Sequence, residues 1–185
     1  KISMKKKIII TGGLGYIGTE LCKLYSGVSW HHKIVVIDNR FISERVNQIR
    51  NWNIEFIQGD ILDKNLIKKF CEDADVVHHL AGVTDVPRTK SEISLTQEKK
   101  IKEVGEKGTQ NILDVISNKC KIIFPSTHVV YEGIDEVKKD IQENEKTKPI
   151  LSYSTSKAIN EDQLKKSGKN YVILRLGSVY GYSTD

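Results

Sequence analysis

Short runs of β-branched and aliphatic residues alternate along this chain with longer stretches whose apolar side chains recur every three or four positions. The runs are Lys7–Thr11, Lys33–Asp38, Ile54–Gln58, Asp75–Leu80, Lys121–Pro125 and Tyr171–Arg175. Most are apolar at successive positions, which suits strands buried on both faces of a parallel sheet. Between them, Gly15–Ser26, Asp63–Glu72, Gln97–Asn118 and Ser154–Ser167 carry helical periodicity. In the third, Ile101, Val104, Gly108, Ile112, Val115 and Ile116 mark the repeating face. Asp63 is placed to cap the second, because a carboxylate there accepts from unpaired first-turn amides. Strands alternating with helices in this way predict an α/β fold, a doubly wound parallel sheet in the order 3-2-1-4-5-6. Two polar stretches, Thr84–Ser94 and Gly133–Lys148, are long for α/β connections and fall where ligand-facing loops belong.

Composition changes this picture little. A chain of 185 residues fits one domain, or one with an incomplete second. The surplus of 29 basic over 24 acidic residues raises the question of a nucleic acid or a phosphorylated small molecule. The lysines are interleaved with acids, as in "TQEKKIKEVGEKG", which reads as solvated surface rather than a nucleic-acid face. Cys22, Cys71 and Cys120 are far apart and form no CxxC pair. No metal site or disulfide framework is therefore expected, and a reducing, cytoplasmic setting is. The apolar runs are too short for a membrane span. The opening "KISMKKKIII" lacks the apolar core and cleavage site of a signal peptide. Met4 reads as the start, with Lys1–Ser3 an added remnant.

The stretch "TGGLGYIG" joins the first strand to the first helix. Its spacing is Gly12-x-x-Gly15-x-x-Gly18. Gly12 permits the sharp turn, Gly15 lets the backbone approach a pyrophosphate, and Gly18 permits close helix–strand packing. The helix N-terminus adds amide donors and partial positive charge. Such a turn can also be purely structural. Asp38, about 20 residues past the last glycine, adds a carboxylate suited to a ribose 2′-hydroxyl and hostile to a 2′-phosphate, which favours NAD over NADP. Asp60 of "GDI" can accept from an adenine amino group. Leu80, Ala81 and Gly82 of "HHLAG" would let a cofactor lie against the backbone. His78 and His79 are adjacent on a strand, so they face opposite sides and cannot share an ion; both are expected to be packing residues.

"YSTSK" places Tyr153 and Lys157 four residues apart on one helix face. An ammonium at Lys157 would favour the phenolate of Tyr153 and lower its pKa, making it a general base. In "FPSTHVVYE", Ser126 and Thr127 offer hydroxyls at the C-terminal end of a strand, where ligand sites of open α/β sheets collect.

Together "TGGLGYIG", "VVIDN", "GDI", "HHLAG", "GTQNIL", "STHVVYE", "YSTSK" and "LRLGSVYG" resemble, in order, the extended short-chain dehydrogenase/reductases, specifically the NAD-dependent sugar-nucleotide epimerase/dehydratase family. The resemblance covers essentially residues 4–185 as the Rossmann part, and it implies a C-terminal substrate lobe that this stretch lacks. It implies Tyr153 as acid/base, Lys157 as its partner and Thr127 as the active-site hydroxyl. Tyr16, Ile17, Asn39 and Ile61 join the NAD-binding set with Tyr153 and Lys157, and Thr84, Thr127, His128 and Ser178 face substrate. A nucleotide-sugar substrate and a homodimer built on the helices after "GEKGT" and "YSTSK" are implied, with neither membrane nor nucleic acid as partner. Three positions depart from the family pattern: Gly105 and Ser178 replace asparagines, and Glu132 replaces the glycine of "VYG". His128 and Val129 stand where 4,6-dehydratases carry acids, which speaks against that elimination and leaves epimerisation or simple oxidation/reduction at a sugar carbon, with a nucleotide-sugar 4-epimerase as the leading expectation. Two alternatives stay open. One is a reductase of a non-sugar carbonyl; the other is a non-catalytic NAD-binding regulator or RNA-associated relative.

Overall fold

A computed structural model describes residues 4–83, 95–135 and 140–181. The polar stretch 84–94, with Thr84, lies outside the described residues, as do 136–139 and the two ends. Six parallel strands form one sheet: β1 (Lys7–Thr11), β2 (Lys33–Asp38), β3 (Glu55–Gln58), β4 (Val76–His79), β5 (Lys121–Thr127) and β6 (Asn170–Leu176). Their order is β3-β2-β1-β4-β5-β6, the doubly wound arrangement the alternating pattern predicts. Because successive strand residues face opposite sides, each strand feeds two cores. Ile9, Val35, Ile37, Val77, Ile122 and Phe124 pack on α3 (Lys64–Cys71), α5 (Gly108–Val115) and α6 (Ser152–Lys166). Ile8, Ile10, Ile34 and Val36 pack on α1 (Tyr16–Ser26) and α2 (Ser43–Asn51). The side chain of Asp63 does cap α3, accepting from the amides of Asn65 and Leu66 at 3.0 Å.

Helix α2 is absent from the periodicity reading. It buries only Arg45, Val46 and Ile49, so its apolar stripe is too thin to stand out in "SERVNQIRN". The third predicted helix also differs. It comprises α4 (Leu95–Lys102), a π-helical turn at Glu103–Lys107, and α5. That turn offers the carbonyl of Gly105 to the Asn160 amide at 3.0 Å and that of Glu106 to Gln163 at 2.9 Å, which stitches it to α6. Strand β5 runs two residues past Pro125. Proline is tolerated there because β4 pairs only with Lys121–Ile123, so Pro125 has a strand neighbour on the β6 side alone.

A buried polar network locks α6 to the end of the sheet. Arg175 of β6 grips Glu161 of α6 through Nε at 2.9 Å and Nη2 at 2.6 Å, and Ser126 donates to the same carboxylate at 2.6 Å. Burial pushes the Glu161 carboxyl up, but the bonds from Arg175 and Ser126 outweigh it and hold the group below its usual range. Glu161→Gln is expected to cost about 3 kcal/mol, because Arg175 keeps its charge and loses its counter-ion. Urea denaturation measures this loss. The three cysteines are buried free thiols, with Cys22 and Cys71 pushed up to about 12 and Cys120 to about 11 by burial.

Candidate active site

The glycine turn is shaped by its contacts at both ends. Gly12 has φ +69°, in the left-handed region, and a Cβ there would meet the backbone of Ala81 at 2.7 Å. Gly12 therefore answers both to the turn and to the end of β4. A Cβ on Gly18 would strike the Gly12 carbonyl oxygen and Gly13 Cα at 2.6 Å, so it is the close-packing glycine. Gly15 is the roomiest of the three, its nearest neighbour being 3.3 Å away. Between them Leu14 is fully buried and held by both backbone groups. Its amide donates to Asp38 Oδ2 at 3.0 Å, and its carbonyl accepts from Arg45.

Asp38 thus has a task that sequence reasoning did not assign. One oxygen organises the glycine loop, while the other accepts from the Arg40 amide at 3.0 Å and more weakly from its Nε at 3.4 Å. A carboxylate offers about four lone-pair sites, so acceptor capacity remains for a ribose hydroxyl. Asp60 caps its own turn, accepting from the Leu62 amide at 2.9 Å. Arg45 was missed because nothing in its local sequence marks an arginine as buried.

Nine of the cofactor candidates line one cleft of about 330 Å³: Gly12, Gly15, Asp38, Asn39, Asp60, Ile61, Leu80, Ala81 and Gly82. Arg40, Gly59, Val83, Lys100 and Val104 complete it, with Ile37 at its floor. Of the remaining candidates, Tyr16 and Ile17 open α1, with the Tyr16 hydroxyl 3.0 Å from where a Gly181 Cβ would stand. Gly18 lies beneath. These features fit a dinucleotide: a glycine cradle without side chains, a helix N-terminus, and a carboxylate at the end of β2.

His78 and His79 do face opposite sides. His78 Nε2 meets the Tyr25 hydroxyl at 2.7 Å. The His79 ring sits between Thr11 Oγ1 at 2.8 Å and Thr109 Oγ1 at 3.0 Å. Burial and the charge of Lys157 press His79 to about 3, so the ring is neutral. Thr11 in turn accepts from the Ala81 amide at 3.2 Å, fixing the backbone that borders Gly12. The "GTQNIL" motif belongs to the same scaffold. A Cβ on Gly108 would strike the Ile61 side chain, and the Asn111 amide donates to the Ile61 carbonyl at 3.0 Å.

Tyr153 and Lys157 lie on the first turns of α6, with Lys157 Nζ 5.8 Å from the Tyr153 ring centroid. The same ammonium sits 4.6 Å over the Phe124 ring and donates to the Pro125 carbonyl at 3.1 Å. Burial pulls Lys157 down from 10.5 to about 8. Burial also raises Tyr153 above its ordinary 10.0, the reverse of the shift expected from its lysine neighbour. The physical reason is that desolvation opposes the phenolate, while Lys157 directs its ammonium at the Phe124 ring and the Pro125 carbonyl. A depressed lysine value means the unfolded chain holds its proton more tightly between about pH 8 and 10.5. Stability from this group is therefore full above 10.5 and lost as pH falls to about 8. Against Lys157→Met, the wild type is expected to gain in Tm between pH 8 and 10, a trend readable by thermal melts.

Thr127 ends β5 and caps the turn His128–Tyr131, accepting from the Val129 amide at 3.3 Å. Ser126 points the other way and is engaged with Glu161, which leaves Thr127 as the hydroxyl of the pair not committed to that network. Among the described residues no hydrogen bond joins Thr127 to Tyr153. His128 is exposed, its Nδ1 3.2 Å from the Leu176 carbonyl oxygen, and Ser178 is exposed just past β6. Beside them a cavity of about 520 Å³ is lined by His128, Val129, Tyr131, Glu132, Ile141, Glu143 and Arg175.

The glycine turn, the β2 carboxylate and the Tyr–Lys pair on α6 all sit on a Rossmann-type doubly wound scaffold. The profile of the NAD dependent epimerase/dehydratase family matches residues 8–185, and the chain belongs to that family. It is 31% identical to a dTDP-D-glucose 4,6-dehydratase of Dictyostelium discoideum, over 95% of this chain and 44% of that protein. It is 32% identical to a UDP-glucose 4-epimerase of Neisseria meningitidis, over 84% of this chain and 46% of that one. Among solved structures, a UDP-glucose 4-epimerase of Brucella ovis in complex with NAD superposes with a TM-score of 0.74 at 29% identity, covering 92% of this chain and 51% of that one. The Thermotoga maritima UDP-glucose 4-epimerase with UDP-glucose gives 0.78 at 25%, covering 97% and 58%. The chain thus spans about half the length of the relatives it matches. No helix among the described residues is long and apolar enough to cross a membrane.

Proposed function

We propose that this chain is the NAD-binding, proton-transferring part of an enzyme that oxidises and re-reduces a nucleotide-activated sugar, with 4-epimerisation as the reaction. The observation that carries this reading is the Tyr153–Lys157 pair at the start of α6, whose lysine bonds Pro125 of β5 two residues before Thr127, in a fold that gathers nine candidate cofactor residues in one cleft. Gly12, Gly15 and the amides of α1 would hold the pyrophosphate, Asp38 the adenosine ribose, and Lys157 the second ribose through donors not used on Pro125. NAD, when bound, supplies the acceptor and donor of hydride. Tyr153 takes the proton from the sugar hydroxyl being oxidised and returns it when the resulting ketone is reduced on its other face. Thr127 aligns the reacting oxygen by hydrogen bonding.

Dehydration remains the function of some relatives, among them the Dictyostelium protein. Here His128 and Val129 bring no carboxylate to the turn after Thr127. Glu132, nearby in that turn, is bonded to the start of α6. These features support epimerisation over elimination. The homodimer implied by the resemblance, through α5 and α6, is part of the same reading and is checked by sedimentation equilibrium.

The deciding assay offers UDP-, GDP- and dTDP-sugars with NAD and follows products by NMR. A C4 epimer formed with no net consumption of NADH is the expected result. Stoichiometric NADH oxidation with a simple carbonyl would point instead to a reductase. RNA affinity with steep salt dependence and no turnover would point to a non-catalytic relative.

A further inference from the structure

Glu132 stands where the resemblance leads one to expect glycine. Its backbone gives no reason for glycine: φ is −58° and ψ −23°, ordinary right-handed helical values. A side chain is therefore free to be used there, and this one is. Oε1 of Glu132 accepts from the amide of Ile150 at 2.6 Å, from the amide of Leu151 at 2.7 Å, and from the hydroxyl of Ser154. Leu151 is the N-cap residue of α6, and its apolar side chain makes no capping bond. Glu132 thus supplies from across the structure the oxygen and the negative charge that a helix N-terminus favours.

The contact does more than cap. Glu132 closes the turn that Thr127 opens, and Ser154 is the neighbour of Tyr153. Backbone bonds reinforce the join: the Lys148 amide donates to the Val130 carbonyl at 2.8 Å, and the Gly133 amide donates to the Lys148 carbonyl at 2.9 Å. Gly133 has to be small for this approach, since a Cβ there would meet the Lys148 oxygen at 2.5 Å. The segment after β5 and the lead into α6 are therefore one clamp, with Glu132 as its side-chain element.

We propose that Glu132 is a positioning residue, whose carboxylate ties the turn following Thr127 to the first turn of α6 and so sets where the Tyr153 phenol stands relative to the Thr127 hydroxyl. The catalytic meaning of that placement rests on the reading of Tyr153 as acid/base, whereas the placement itself can be measured without turnover.

The test follows Tyr153 directly in protein labelled with ¹³Cζ-tyrosine, its signal assigned by its loss in Tyr153→Phe. In Glu132→Ala, the Tyr153 titration is expected to move from its raised value toward that of a free tyrosine as burial is lost. Exchange of the Thr155 amide, which bonds to the Leu151 carbonyl, is expected to quicken about tenfold. Glu132→Gln keeps an acceptor oxygen in place and is expected to restore both. Should the alanine variant not fold, Glu132→Asp makes the same comparison, because it keeps the charge and withdraws it by one methylene; a shift in the same direction is expected. A Tyr153 titration unchanged in the alanine variant, or in the aspartate variant where alanine does not fold, overturns the proposal even if Tm falls. So does a glutamine variant that behaves like alanine. Absence of epimerase activity in the wild type would defeat the functional reading and leave these outcomes untouched.

Discussion

Tyr153→Phe is expected to lower turnover about a thousand-fold or more and to leave NADH affinity within about twofold. Phenylalanine keeps the ring, its burial and its place 5.8 Å from Lys157 Nζ, and removes only the oxygen that would carry the proton. If the phenol does the proton transfer, the loss falls on kcat with little change in cofactor binding. Product NMR gives the rate, and energy transfer from tryptophan to NADH gives the affinity. Retained turnover would remove Tyr153 from the role. The raised Tyr153 value adds a further reading, because burial alone disfavours the phenolate. A wild-type rate that rises with pH above neutrality is therefore expected, because a general base held above its ordinary value gains its active form only on the alkaline side.

Gly12→Ala is expected to abolish NADH binding and to destabilise the fold by about 3 kcal/mol. Two costs combine. At φ +69° an L-side chain is strained, and its Cβ would lie 2.7–2.9 Å from three backbone atoms of Leu80 and Ala81. Backbone at the end of β4 cannot give way cheaply, because Ala81 is bonded to Thr11 and Leu80 to the Thr11 carbonyl. The turn must then shift away from β4 and distort the cradle that would face the pyrophosphate. Calorimetry and denaturant melts check the two effects separately. Gly15→Ala is the internal control, since its Cβ has only one close neighbour at 3.3 Å and should cost folding little.

Much of this was legible in the chain as written. Alternating apolar runs placed β1 and β2 to the residue and the other strands within two, because a strand buried on both faces must be apolar at successive positions. The spacing of "TGGLGYIG" and the distance to Asp38 pointed to Gly12, Gly15 and Asp38, which line one cleft together with Asp60 of "GDI" and Leu80, Ala81 and Gly82 of "HHLAG". "YSTSK" placed a tyrosine and a lysine on one helix face, since four residues span about one turn. Ser126, next to Thr127, faces Glu161 on the other side of β5.

What the chain did not disclose were partnerships between residues far apart in sequence. Arg45 on Leu14, Arg175 on Glu161 and Glu132 on the start of α6 have no local signature, because a buried charge is recognisable only once its counterpart is folded against it. The direction of the Tyr153 shift likewise depended on how deeply the phenol is desolvated and on where Lys157 aims its ammonium. The sequence by itself determined the order of elements and the residue types gathered at the C-terminal ends of the strands, since both follow from short-range periodicity. Tertiary structure alone decided which carboxylates hold the scaffold, because desolvation and hydrogen bonding are properties of surroundings, not of spacing.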